Sequence, residues 1–343
     1  MKENETALRD MSMGDVIDYT IQVYRRNFIK ITLLSLIFYV PFTLIYGFIS
    51  NYLTADMMDL FGYYDKQPDL EALNNLGFTV AAYYLSLFGL SLLYGAYTLT
   101  LKPVLDAAIA GIIYNDVVFK KQVSIGDAVK EAFKKFGTLF LNKLLYGCIV
   151  VCVGVGAITI VYILLIAYII AAAVLFTAGS ATGTVSEGLL IFLIIVSVIF
   201  FIAVIAAMIV LVAYFMAKYG MGIQAVIIEN KGAVAGISRC NVLAKKSFWF
   251  VNLSYIFAMM LFFAIPTLIQ TAAAMLVYVD KNLFNYASTG TQVLGAVFYP
   301  FSVVIITMLF IALKIKKEGL DLEVKVDVLL EEQKARESEA NGN

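Results

Sequence analysis

The chain has 343 residues, 62% hydrophobic and 15% charged, with a mean hydropathy of +0.87 and a formal net charge of zero. A soluble domain averages about a quarter charged residues, so this composition excludes a soluble globular protein, and zero net charge gives nucleic-acid binding no electrostatic footing. Histidine is absent, which removes the commonest general base and the commonest transition-metal ligand.

In chain order, the charged residues that precede the first apolar run do not fit a cleavable signal peptide. "SMGDVIDYTIQVYRRNF" from Ser12 predicts a helix capped by Ser12, with Asp15 in its first turn and the basic pair Arg25-Arg26 near its end. Apolar runs over 31–53, 78–101, 138–177, 189–217, 252–279 and 292–313 are each long enough to cross a bilayer. The third run is overlong. As a single helix it must tilt, break near Gly154 and Gly156, or project from the membrane.

Charge arbitrates the span number. With 138–177 as one crossing, segments 1–30, 102–137, 218–248 and 314–343 share one side and hold 22 of the 25 Lys and Arg residues. The positive-inside rule then favours six spans with both termini cytoplasmic, and places the acidic 54–77 loop outside.

After the second and fourth runs, "KPVLDAAIAGIIYNDVVFKKQ" and "KYGMGIQAVIIENKG" keep a helical apolar pattern and end at turn-forming residues. They predict helices that continue into the cytoplasm, with Lys102 and Asp106 spaced to pair on one face. "SIGDAVKEAFKKF" from Ser124 is the clearest amphipathic helix. Ile125, Ala128, Val129, Ala132, Phe133 and Phe136 lie on one side, and Ser124 caps it ahead of the pair Lys134-Lys135. "AVAGISRCNVLAKKSFW" from Ala233 is similar, has no cap, and ends in Lys245-Lys246 and Trp249.

These three segments each precede an odd-numbered span. They suggest an internal repeat of three units, each an interfacial helix followed by a hairpin. The predicted fold class is therefore an all-α integral membrane protein with six transmembrane helices in three pseudo-repeated hairpins, each preceded by a cytoplasmic amphipathic helix. A single membrane domain covers 1–325, and 326–343 forms a polar tail.

Candidate lipid or partner contacts are Arg25, Arg26, Lys134, Lys135, Lys245, Lys246 and Trp249, because basic residues beside a membrane attract anionic lipid. Inside the runs, Lys143 near the cytoplasmic end of span three and Gln270 four residues after Pro266 are the candidate intramembrane polar site. Snorkelling is the simpler reading of Lys143, and an interhelical hydrogen bond that of Gln270. Cys148 and Cys152, four apart, read as small packing residues. No phosphate loop, nucleophile elbow or CxxC occurs, and no cofactor or metal is implied.

Three stretches carry a family resemblance: "MSMGDVIDYTIQVYRRNFIKITLLSLIFYVPFTLI", "AVIIENKGAVAGISRCNVLAKKSFW" and "LKIKKEGLDLEV". Together they resemble the bacterial six-span membrane domain found attached to some glycerophosphoryl diester phosphodiesterases and also found alone. The residues "LFIA" before the last motif depart from the family pattern. The resemblance covers about 1–325 and implies a stand-alone membrane domain, since the catalytic barrel of those enzymes has no counterpart here. The expected function is a non-enzymatic scaffold or accessory protein of the bacterial inner membrane, engaging membrane lipids, a protein partner or a second copy. The alternative is a transporter or lipid-handling protein with a path between the hairpins.

Overall fold

The computed structural model describes residues 11–60, 76–182 and 187–320, together with Leu322 and Val326. Among them there is no strand; the chain is all-helical. In order the helices are α1 (Met13–Phe38), α2 (Val40–Leu60), α3 (Leu76–Leu99), α4 (Leu101–Val118), α5 (Ile125–Lys134) and α6 (Phe136–Thr182). They continue as α7 (Glu187–Gly220), α8 (Gly222–Ile228), α9 (Ala233–Ala244), α10 (Phe248–Ala274) and α11 (Lys281–Glu318), with a 3-10 turn at Met275–Tyr278.

The predicted caps form. Ser12 accepts from the Asp15 backbone N–H at 3.2 Å while Asp15 accepts from the Ser12 N–H at 2.9 Å, a reciprocal capping box. Ser124 accepts from the Asp127 N–H at 3.1 Å. The third segment starts at Gly232 with no side-chain cap. Asp280 caps α11 through the Leu283 N–H at 2.7 Å, and Gly319, at φ +66°, ends that helix.

Several boundaries differ from the sequence reading. Span 31–53 is not one straight helix, because α1 runs through to Phe38 and meets α2 at a 50° bend. Pro41 lies just past the bend, and its ring and missing N–H disfavour a continuous helical backbone there. The run 138–177 is part of one unbroken helix of 47 residues, about 70 Å long. Gly154 and Gly156 do not break it; each faces open space. The run 292–313 is only the middle of α11. Its first turns hold Asn285, Ser288, Thr289, Thr291 and Gln292, whose polarity hides them from a hydropathy reading. The helices expected after spans two and four are present as α4 and α8, while the expected 326–343 tail lies outside the described residues apart from Val326.

One contiguous core joins α1, α4, α5, α8, α9, the first turns of α6 and α10, and the second half of α11. We call this layer the base. Its axis is α11, in which Phe301, Ile305, Met308, Leu309, Phe310, Ile311 and Leu313 are buried on all sides. The apolar window of α11 is 72% buried, against 0 to 6% for those of α3–α4, α6 and α7. Beyond the base, α2 packs on α3, α6 on α7 and α10 on α11. α11 packs on both α2 and α10, α10 packs on α7, and α3 touches α6 only lightly.

Candidate functional site

The basic residues named from sequence divide into two groups. Arg26 and Lys135 are spent on the fold. The Arg26 guanidinium donates from Nε to Asp116 Oδ2 at 2.8 Å, and Asn27 donates to the same oxygen at 2.5 Å. Asp116 stands in the last turn of α4, so α1 holds the end of α4. Lys135 donates to the Ile227 carbonyl at 3.0 Å and also to the Asn230 side chain, at the carbonyl end of α8. A cation there meets the unsatisfied carbonyls and the negative end of the helix dipole.

The third segment does the same with different residues. Arg239 on α9 donates to Glu229 from Nε at 2.7 Å and from Nη2 at 2.9 Å, and reaches Glu318 at the end of α11 at 2.5 Å. Lys314 Nζ lies 3.2 Å from Glu229, and Lys317 donates to the Lys245 carbonyl. Although burial opposes ionisation, bonds from Arg239 and Lys314 hold the Glu229 carboxyl below its usual range, and the same bonds push the Arg239 guanidinium up.

Arg25, Lys134, Lys245 and Lys246 point outward and form no ion pair among the described residues. Apolar side chains stand directly beside them and are also exposed: Ile29 at 80%, Phe133 at 44% and Trp249 at 65%. Trp249 makes an edge contact with Phe248.

Lys143 is not a free snorkelling group. Its ammonium sits 3.8 Å from Asp106, with the side chain only 18% exposed. Lys102, spaced to pair with Asp106, lies instead over the Tyr299 ring at 5.1 Å, while the Tyr299 hydroxyl donates to Asp106. Tyr39 stacks on Tyr299 at 5.3 Å and Phe42 on Tyr97 at 4.0 Å, walling the cluster with aromatic rings. The i, i+4 spacing of Lys102 and Asp106 was visible in the sequence, but the true partner comes from another helix.

Gln270 accepts from Thr291 Oγ1 at 2.7 Å, an α10–α11 hydrogen bond. It does not converge with Gly154 and Gly156, which face open space on α6. A second polar seam joins α2 to α11: Asn51 donates to Thr289 at 3.1 Å, and Gly47 admits the Gln292 amide where a Cβ would overlap it. A shallow apolar groove of about 410 Å³ runs beside that seam, lined by Leu44, Ile45, Phe48, Ile49 and Thr289. Cys148 and Cys152 are exposed on α6 rather than packed, whereas Cys240 is buried and burial pushes its thiol up to about 12. No three His, Cys, Asp or Glu side chains gather as a metal-ligand set among the described residues.

Among the described residues, four helices are long and apolar enough to cross a membrane, or up to six if each of two bent pairs counts as one span. That is the make-up of a multi-pass membrane protein. Comparison with known proteins returned no matching family model, no matching curated protein and no matching solved structure.

Proposed function

We propose that the chain is a six-span, non-enzymatic scaffold or accessory protein of the bacterial inner membrane, built as three pseudo-repeated hairpins on a cytoplasmic base. The resemblance to the six-span membrane domain associated with glycerophosphoryl diester phosphodiesterases is part of this proposal. The base engages anionic lipid at the membrane surface.

Support for the repeat comes from recurring detail. The ends of α4 and α8 share one turn: Phe119 and Lys121 N–H groups both meet the Asn115 carbonyl, and Glu229 and Lys231 both meet that of Ala225, 110 residues on. Lys120 and Asn230 follow at φ 50° and 54°. In each unit the interfacial segment holds the end of that unit's last helix: Arg26 that of α4, Lys135 that of α8, Arg239 that of α11.

The lipid reading rests on one observation. Arg25, Lys134 and Lys246 are exposed beside exposed apolar side chains at every entry to a hairpin. Charge with no counter-ion among the described residues, adjacent to surface that excludes water, matches the headgroup boundary of a bilayer at about 1 kcal/mol per basic residue. The triple variant Arg25→Gln, Lys134→Gln, Lys246→Gln, reconstituted with spin-labelled phosphatidylglycerol, should lose its enrichment of that lipid at the protein surface. An unchanged lipid annulus, with crosslinking of native membranes recovering only monomer, would sink the reading. The alternative of a lipid-handling protein is favoured by a different observation, the buried cluster around Lys143.

A further inference from the structure

We propose that Lys102, Lys143 and Tyr97 form a binding site for the phosphate group of an anionic lipid, entered from the bilayer between α3 and α6. The site goes beyond the surface contacts proposed above and does not use their residues.

Charge balance is the first reason. Lys143 is mostly buried, and the charges acting on it are those of Asp106 and Lys102. Among the described residues, two cations, the mostly buried Lys143 and the half-buried Lys102, stand against one carboxylate and leave one positive charge in excess beside the rings of Tyr39, Phe42, Tyr97 and Tyr299. An uncompensated charge away from water is costly, and inside a membrane protein it marks a binding position or an ion path.

Hydrogen-bonding capacity is the second. A lysine ammonium carries three donors, yet among the described residues Lys143 meets only Asp106, at 3.8 Å, and the Tyr146 ring, at 4.7 Å. Lys102 meets the Tyr299 ring and no carboxylate among the described residues. The Tyr97 hydroxyl is buried, with the residue 4% exposed, and finds no hydrogen-bond partner among the described residues although it lies within electrostatic reach of Asp106. Buried hydroxyls are nearly always bonded. Two ammonium groups and a free phenol hydroxyl around one locus match the acceptor oxygens of a phosphate monoanion.

Placement is the third. Lys102 lies in the first turn of α4, three residues past the end of α3, and Lys143 lies two turns into α6, so both stand where α3 and α6 leave the base. α3 and α6 touch only lightly, which leaves acyl chains a path between them. The Asp106 carboxylate, fixed by Tyr299, orients Lys143 and keeps the excess at a single charge.

The test is native mass spectrometry of the full chain released from nanodiscs of phosphatidylglycerol and phosphatidylcholine, with a parallel titration of glycerol 3-phosphate in detergent. One phosphatidylglycerol should be retained in preference to phosphatidylcholine. Lys143→Gln should weaken retention by roughly tenfold or more, and Tyr97→Phe, which keeps the ring against Phe42, by about two- to tenfold. Lys143→Arg should restore it, and the Arg25, Lys134, Lys246 triple variant should leave it unchanged, which separates this site from the surface reading. Retention of lipid without binding of glycerol 3-phosphate assigns the site to lipid. Displacement of the lipid by glycerol 3-phosphate supports the same phosphate chemistry with a soluble source. Equal retention of both lipids, or full retention by well-folded Tyr97→Phe and Lys143→Gln proteins, overturns the proposal.

Discussion

Arg239 holds Glu229 through two parallel hydrogen bonds, 2.7 Å from Nε and 2.9 Å from Nη2, and with its second edge reaches Glu318. This fork joins α8, α9 and α11, three helices brought together at one corner of the base. Arg239→Ala leaves Glu229 to Lys314 alone and removes the Arg239 bond from Glu318, and should lower stability by roughly 1–3 kcal/mol, since a partly exposed charged hydrogen bond is worth less than a fully buried one. Thermal unfolding in detergent measures it. Arg239→Lys should recover only part, because an ammonium cannot form the fork.

The same carboxylate sets a pH dependence. The folded Glu229 value lies below its ordinary 4.5, so the native state binds the proton less readily than the unfolded chain does. Its contribution is complete above that ordinary value and is lost as pH falls through the lowered folded value. Acid titration of the melting temperature should therefore show a drop below about pH 4.5 that is smaller in Glu229→Gln.

A close approach of α6, α8 and α9 gives a third test. A Cβ on Gly222 would stand 2.7 Å from Asn142 Oδ1, and one on Gly236 would stand 3.2 Å from the Gly222 carbonyl. Asn142 is buried and donates to the Ala233 carbonyl at 2.9 Å. Gly222→Ala should cost about 1–3 kcal/mol by overpacking. Asn142→Ala in the same chain should relieve most of that clash, so the double variant should fall short of the sum of the two single losses. Additive losses would show that the helices do not meet there.

Thiol reactivity tests burial directly. Cys240 is buried and its thiol is pushed up to about 12, so it should resist maleimide at neutral pH until the protein is denatured. Cys148 and Cys152 are exposed on an apolar helix. They should react with a membrane-permeant reagent in detergent and be shielded from an impermeant one in a bilayer.

The α2–α11 seam should contribute modestly. Asn51→Ala removes the bond to Thr289 and should cost about 0.6–1.7 kcal/mol, the range for interhelical hydrogen bonds inside membranes. A melting temperature unchanged by the substitution would show that the seam is not formed.

The helices and many of their ends are legible from local sequence, because they depend on neighbours a few residues apart. Apolar runs, the Ser12 and Ser124 caps, and the continuation of α4 and α8 beyond the apolar runs all follow from local spacing. Tertiary structure decided which helix is central. A side chain facing lipid is as apolar as one facing protein, so hydropathy could not rank α11, largely buried, above α7, which is exposed along most of its length. It also decided the partners of the charges. Asp106 had Lys102 four residues away and took Lys143, because the helix places Lys102 over Tyr299 while α6 delivers Lys143 to the carboxylate. Such pairings depend on how separate helices pack, and no local pattern carries that information.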